Sequence, residues 1–366
     1  MREYRPFSQE RLATQIEKLN QGKLSTLDVQ IGGHCNARCE KCDTPNYYAR
    51  NNLDLDALET HVDSGNVDSL VICGKGEPTS SRNIESTSRI IQMGQRNGAD
   101  THAFINGLEI DNTIWNVIES GDFNVLVQFN SFDVDNVITQ MSLDKLYGGD
   151  AEQKARQHIA NLYRLAEIAK SKSGNDTNIG VSIVPNTRNE HELESMLDFA
   201  MNNNMAVLCG ELEQAGASTG ETYNRLAIPK KRLLRVQDML REREIPTQTP
   251  VCPYIFSSVH VNNNNRVSVD KMTGLSCTWF NLQDNNMAKK QYFGKIGDKT
   301  FEQFSDEIIA HRISVYQHLK KIVDSQEMPL IGGCGGNPKE VMRILKETTE
   351  NVARHKGVNL DLQGKT

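Results

Sequence analysis

Nowhere in the 366 residues is there an apolar run approaching the roughly 20 residues that a membrane span needs. The opening stretch, MREYRPFSQERLATQIEKL, is charged and lacks the apolar centre of a secretory signal. A chain without export keeps its thiols reduced, so a cytoplasmic location is expected, and its eight cysteines point to metal ligands instead of disulfides. Internal repeats and low-complexity linkers are absent as well. Positive charge is not in excess: a net charge of −6 gives no broad basic field of the kind that drives nonspecific nucleic-acid binding. The most basic stretch, Pro229 to Glu244, sets Leu233, Val236, Met239 and Leu240 at helical spacing and reads as an amphipathic helix with a solvated charged face. Neither a membrane nor a nucleic-acid partner is expected. What is present, 37% apolar and 24% charged residues, suits a folded soluble protein with one large domain and a smaller one.

Short apolar runs alternate with longer amphipathic ones. After a helix within Ser8 to Asn20, strands are expected at Leu27 to Ile31, Ser69 to Cys73, Thr101 to Ile105, Asn124 to Phe129, Ile179 to Val184 and Ala206 to Leu212. Helical patterns lie between them, at Leu55 to Val62, Asn83 to Asn97, Thr113 to Glu119, Ala151 to Lys170 and Glu190 to Asn202. Six such units imply an α/β fold with a parallel sheet and helices outside it.

Directly after the first strand stands CNARCEKC, with Cys35, Cys39 and Cys42. Three soft thiolates on one short loop suit three corners of a cubane [4Fe-4S] cluster, leaving a fourth iron free for a small molecule. A zinc knuckle is the alternative, although zinc sites usually show paired CxxC arms. The second strand runs into CGKGEPT, Cys73 to Thr79. Glycines 74 and 76 let backbone approach a ligand, and Glu77 offers an anion to an ammonium group; an ordinary tight turn is the competing reading.

Together the two runs resemble the radical S-adenosylmethionine (SAM) superfamily. The resemblance implies that Cys35, Cys39 and Cys42 hold the cluster, and that the amino and carboxylate groups of SAM chelate the free iron. It gives Gly74, Lys75, Gly76 and Glu77 the SAM amino group. It also implies a partial (β/α)6 radical SAM barrel, reductive cleavage of SAM, and a 5′-deoxyadenosyl radical that abstracts hydrogen from substrate. One departure is visible: the position before the last cysteine, usually aromatic in the family, is Lys41. Other strand ends fit the same picture. INGLE places Asn106 after the third strand, FNSFD places Ser131 near the SAM ribose or carboxylate, and IVPNTRNE places Asn186 near the nucleoside, although Asn and Ser are also common in turns. Cys73 and Cys209, at or near strand ends, are candidate hydrogen-atom donors to a substrate radical, against the simpler reading of small buried core residues. His34 is expected to orient the cluster loop.

A proline-flanked TQT near Pro246 to Pro250 suggests a boundary, giving a core over 1–246 and a second region over 247–366. SSVHVNNNNRVSVD reads as a β-hairpin around an asparagine turn, and Thr300 as the N-cap of a following helix. Hairpin plus helix, with Cys252, Cys277 and Cys334, resembles the twitch-like and SPASM C-terminal extensions and implies one auxiliary [4Fe-4S] cluster. Structural zinc and uncoordinated buried thiols are the alternatives. The resulting expectation is a radical SAM enzyme acting on a small molecule by oxidation, rearrangement or epimerisation, reduced by flavodoxin or ferredoxin. A peptide-modifying maturase and a non-catalytic iron-sulfur or zinc redox sensor are the rivals.

Overall fold

The computed structural model describes residues 3–32, 34–42, 53–72, 74, 76–173, 176–212, 217–245, 258–262, 264–270, 290–317 and 338–360. Cys73, Lys75, Cys252, Cys277 and Cys334 lie outside the described residues.

A nine-stranded sheet forms the body. Its order is β11-β10-β9-β2-β3-β4-β5-β7-β8. The parallel strands are β9 (Ser258–Val261), β2 (Thr26–Val29), β3 (Ser69–Ile72), β4 (Asp100–Ile105), β5 (Phe123–Gln128), β7 (Ile179–Ile183) and β8 (Ala206–Cys209). β10 (Arg266–Asp270) and β11 (Lys290–Lys295) continue it antiparallel, while β1 (Glu3–Tyr4) and β6 (Asp176–Thr177) form a separate two-stranded pair. The helices are α1 (Gln9–Asn20), α2 (Leu55–His61), α3 (Ile84–Asn97), α4 (Asn112–Ser120), α5 (Val134–Met141), α6 (Asp144–Tyr147), α7 (Ala151–Ser171), α8 (Leu193–Asn202), α9 (Gly220–Leu226), α10 (Lys230–Glu242), α11 (Phe301–Ser314) and α12 (Pro338–His355).

Local chemistry sets the helix starts. Side chains of Ser8, Asp54, Asp111 and Asp133 accept from backbone N–H groups in the first turns of α1, α2, α4 and α5. Thr300 and Gln303 form a reciprocal capping box at α11. α10 buries Val236 and Leu240, and its arginines pair outward, Arg243 with Glu194 at 2.9 Å and Asp198 at 2.7 Å. This is the solvated amphipathic helix the sequence predicts.

Register separates the two faces of the sheet. Gly94 of α3 packs so closely on β4 that a Cβ there would come 2.2 Å from Thr101 Oγ1, which marks the side of Thr101 as helix-facing. Leu27, Leu70, Val125, Val181 and Val207 share that side by pairing and alternation. Asp28, Gln30, His102, Phe104, Asn124, Gln128 and Ser182 fall on the opposite, inner face, as in a partial barrel.

The expected boundary near 246–250 falls outside the described residues. The hairpin forms as expected, but β9 docks in parallel on β2 with Thr26 opposite Ser258 and Val29 opposite Val261. Without it β2 would be an edge strand with an open row of N–H and C=O groups. β11 extends the hairpin, and α12 packs on α1 and α11, so the sheet runs across that boundary.

Candidate functional site

The three cysteines leave β2 on a loop fastened at several points. Arg38 N–H donates to Met141 O at 2.9 Å and Glu40 N–H to Gln140 O at 3.1 Å, which lays the loop on the end of α5. Tyr147 Oη donates to Asn36 O at 3.0 Å. Ala37 is buried with Leu108, Val137, Met141 and Ala155 in a satellite apolar cluster, against which Cys35 and Cys39 are partly buried. From the far side, Arg188 and Arg225 both donate to the Glu40 carboxylate, at 2.9 and 3.0 Å.

The glycine-rich turn after β3 closes on this loop. Gly76 has φ +93°, and a Cβ there would fall 1.7 Å from Gly32 O. Only glycine tolerates both the left-handed backbone and the contact. Glu77 N–H donates to His34 O at 2.8 Å, and Asn83 Nδ2 donates to the same carbonyl and to Glu77 O, both at 3.0 Å. His34 thus joins the two loops through its main chain.

Glu77 is 3% exposed. One carboxylate oxygen accepts from Thr79 N–H at 3.1 Å and Thr79 Oγ1 at 2.6 Å; the other accepts from Asn106 N–H at 2.8 Å. Burial pushes its pKa up to about 7 despite those donors. Among the described residues no cation pairs with it. Asn106 Nδ2 donates to Asn36 Oδ1 at 2.7 Å and reaches Cys35 Sγ at 3.8 Å. Behind Asn106, helix α7 presents Lys154, His158 and Asn161 along one stripe. Lys154 donates to Glu109 at 2.8 Å, Asn161 donates to Gly107 O at 2.9 Å, and the His158 ring lies against Gly107.

Burial raises the Cys39 thiol to about 12 and the Cys35 thiol further, the latter helped by the Glu77 charge. Both would be neutral at pH 7 until a cation or cluster stabilises their thiolates. Among the described residues no three His, Cys, Asp or Glu side chains gather around a single point as they would for one metal ion. A cubane asks for something else, since each of its cysteines binds a different iron. The donor set fits that group: three sulfurs on one loop, partly buried, beside a buried carboxylate that has no cation among the described residues.

The structure therefore brings Cys35, Cys39, Cys42, Gly74, Gly76, Glu77 and Asn106 into three abutting loops, after β2, β3 and β4. Ser131 and Asn186 are placed differently. Ser131 Oγ donates to Glu192 at 2.6 Å and accepts from Asp133 N–H at 2.9 Å. Asn186 Nδ2 donates to Val184 O at 2.9 Å and Gln140 Oε1 at 3.2 Å, and its Oδ1 accepts from Arg188 N–H at 2.9 Å. Both side chains are taken up in building turns. Cys209 pairs with Ile183 in register, on the helix-facing side, and is buried in the main core. The structure does not bring it to the inner face, because alternation along β8 sends it outward. Asn36, Thr79, Asn83 and the α7 stripe were not singled out from sequence. The 4- and 3-residue spacing of Lys154, His158 and Asn161 was their one readable signal.

No protein-family model matches the chain, and no curated protein sequence does. Solved structures do resemble it. Streptococcus suis SuiB bound to S-adenosylmethionine superposes with a TM-score of 0.55 at 13% identity, covering 82% of this chain and 71% of SuiB. SuiB bound to precursor peptide SuiA gives 0.54 at 15% identity, covering 81% and 68%. AnSMEcpe with bound AdoMet gives 0.51 at 13% identity, covering 90% and 99%. The chain has the radical SAM fold.

Proposed function

We propose that the chain is a radical SAM enzyme that carries a [4Fe-4S] cluster on Cys35, Cys39 and Cys42, binds SAM beside it, and oxidises, rearranges or epimerises a small molecule. The observation that carries this reading is Glu77, a buried carboxylate held in place by Thr79 and Asn106, next to Cys35 and, among the described residues, without a cation. When bound and reduced, the cluster and SAM supply a 5′-deoxyadenosyl radical that takes a hydrogen atom from substrate. The chain's own part is positional. Glu77 accepts the SAM ammonium, Gly74 and Gly76 let main chain approach it, and Lys75 belongs to the same turn by sequence. Asn106 couples Glu77 to Cys35, while Ser131 and Asn186 contribute through the backbone they hold.

Cys73 stays a candidate hydrogen-atom donor on sequence grounds, and Cys209 does not. Cys252, Cys277 and Cys334 are proposed, from their order in the sequence, to hold an auxiliary [4Fe-4S] cluster in a twitch-like region. A flavodoxin or ferredoxin is the fitting electron donor. A small-molecule substrate is supported by a cavity of about 510 Å³ at the cluster loop, lined in part by Arg38, Cys39, Glu40, Lys145 and Arg225. Small-ligand sites span about 300–1,000 Å³. The second reading, a peptide-modifying maturase, is favoured by the similarity to SuiB bound to its precursor peptide. Stimulation of SAM cleavage by a peptide and by no metabolite would select it.

The test is anaerobic incubation of reconstituted protein with SAM and dithionite. The expected product is 5′-deoxyadenosine; a pure binding or redox-sensing protein forms none. Glu77→Gln should keep its iron and bind SAM about ten- to a hundredfold more weakly, the worth of one charge-assisted hydrogen bond. Unchanged SAM affinity would remove Glu77 from the site.

A further inference from the structure

Lys41 stands between Cys39 and Cys42, where the family resemblance leads one to expect an aromatic ring. Its side chain turns inward. The Nζ atom has no solvent contact and completes no hydrogen bond among the described residues. The Cys39 thiol is the acidic group near enough to act on its charge. His158 is also near enough to feel that charge. Cys39 Sγ donates to Gln128 Oε1 at 3.8 Å.

An ammonium stripped of water and left without an acceptor is destabilising, more so than an uncharged buried polar group. A methionine would fill the same space without that cost. None of the described residues supplies that acceptor, and a group bound on the loop would. Three ligated thiolates and the sulfides they enclose are such acceptors, and they are anionic. A cation beside them stabilises the reduced, more negative cluster more than the oxidised one, which moves the reduction potential upward.

We infer that Lys41 is a positioning residue for electron transfer: its ammonium donates to a sulfur of the cluster carried by Cys35, Cys39 and Cys42 and raises the reduction potential of that cluster. The inference rests on the cluster-binding reading above, and the two fail separately.

The experiment is a redox titration of the anaerobically reconstituted full chain without SAM, followed by electron paramagnetic resonance, on wild type, Lys41→Met and Lys41→Arg. In Lys41→Met the oxidised-to-reduced ratio at fixed poise should rise at least about tenfold, a fall of about 59 mV for one electron. Lys41→Arg keeps the charge and should stay near wild type. Lys41→Gln gives the same readout if the methionine variant loads poorly. A neutral variant with its full iron content and the wild-type potential overturns the inference. So does weakened SAM binding at an unchanged potential, which would make Lys41 a nucleoside contact. Wild-type protein that takes up no iron and sulfide on the N-terminal cysteines would instead overturn the cluster reading.

Discussion

Gly76 and Glu77 show how closely two neighbouring residues can depend on each other. The carboxylate sits beside Cys35 only because the preceding residue lets the turn pass so close to Gly32 that a Cβ there would lie 1.7 Å from its carbonyl oxygen. The obstacle is the Gly32 carbonyl, a main-chain atom that cannot swing away. Gly76→Ala should therefore displace the Glu77 carboxylate and weaken SAM binding at least tenfold, by an estimate of roughly 1–3 kcal/mol for one misplaced buried partner. Gly65 has a similar φ of +76° with open space around it. Gly65→Ala should cost only about 1 kcal/mol of backbone strain and leave SAM binding alone. Equilibrium binding of SAM to both reconstituted variants decides it; equal losses would mean that strain, not the Gly32 contact, matters. A second residue-scale feature is His102, on the inner face of β4, bonded to Tyr4 Oη at 2.6 Å. Burial pushes its pKa down to about 3, below the ordinary value near 6.5. The folded state therefore binds fewer protons than the unfolded one between those values. The stability of the neutral ring is fully present above about pH 6.5 and drains away as pH falls toward 3. Denaturant melts of the apoprotein over that range should show a shallower acid loss in His102→Gln than in wild type. Parallel curves would rule out His102 as a source of acid sensitivity.

At the scale of elements, what was legible followed from periodicity. The six inner strands and most helices that separate them occur within a few residues of where apolar alternation puts them, because each buries one face on the sheet. The Thr300 cap and the hairpin around Asn262 to Asn265 were legible because a cap and a tight turn are local chemistry. Helix α5 was not. Val134–Met141 is short, and its role is tertiary: its last turn receives the cluster loop through Met141 O and Gln140 O. Cys209 marks the limit of reading a site from strand ends. Its place at the end of β8 was readable, but the face it takes depends on its pairing with Ile183, which is a property of two strands. The Glu40 clamp by Arg188 and Arg225 was hidden for the same reason, since its members lie 148 and 185 residues apart.

At the scale of the molecule, the C-terminal hairpin completes the barrel sheet. Asp28 of β2 and His260 of β9 face each other at 2.9 Å on the inner side, and both are buried. Removing one partner of a buried hydrogen bond costs about 1–3 kcal/mol. His260→Leu should lower the unfolding free energy by that amount in chemical denaturation while leaving the fold by circular dichroism intact at low denaturant. A loss under 1 kcal/mol would mean that the hairpin is docked by its backbone ladder alone. Among the described residues no helix is long and apolar enough to cross a membrane.

The Asp28–His260 pair joins residues 232 positions apart. On the ribosome, the strand that launches the cysteine loop thus spends most of synthesis with one flank open, because its second neighbour has yet to be made. Contacts of such sequence separation form late. The platform for the cysteines is finished only once Val261 has been made, which gives the C-terminal hairpin a part in timing when the cysteine loop settles.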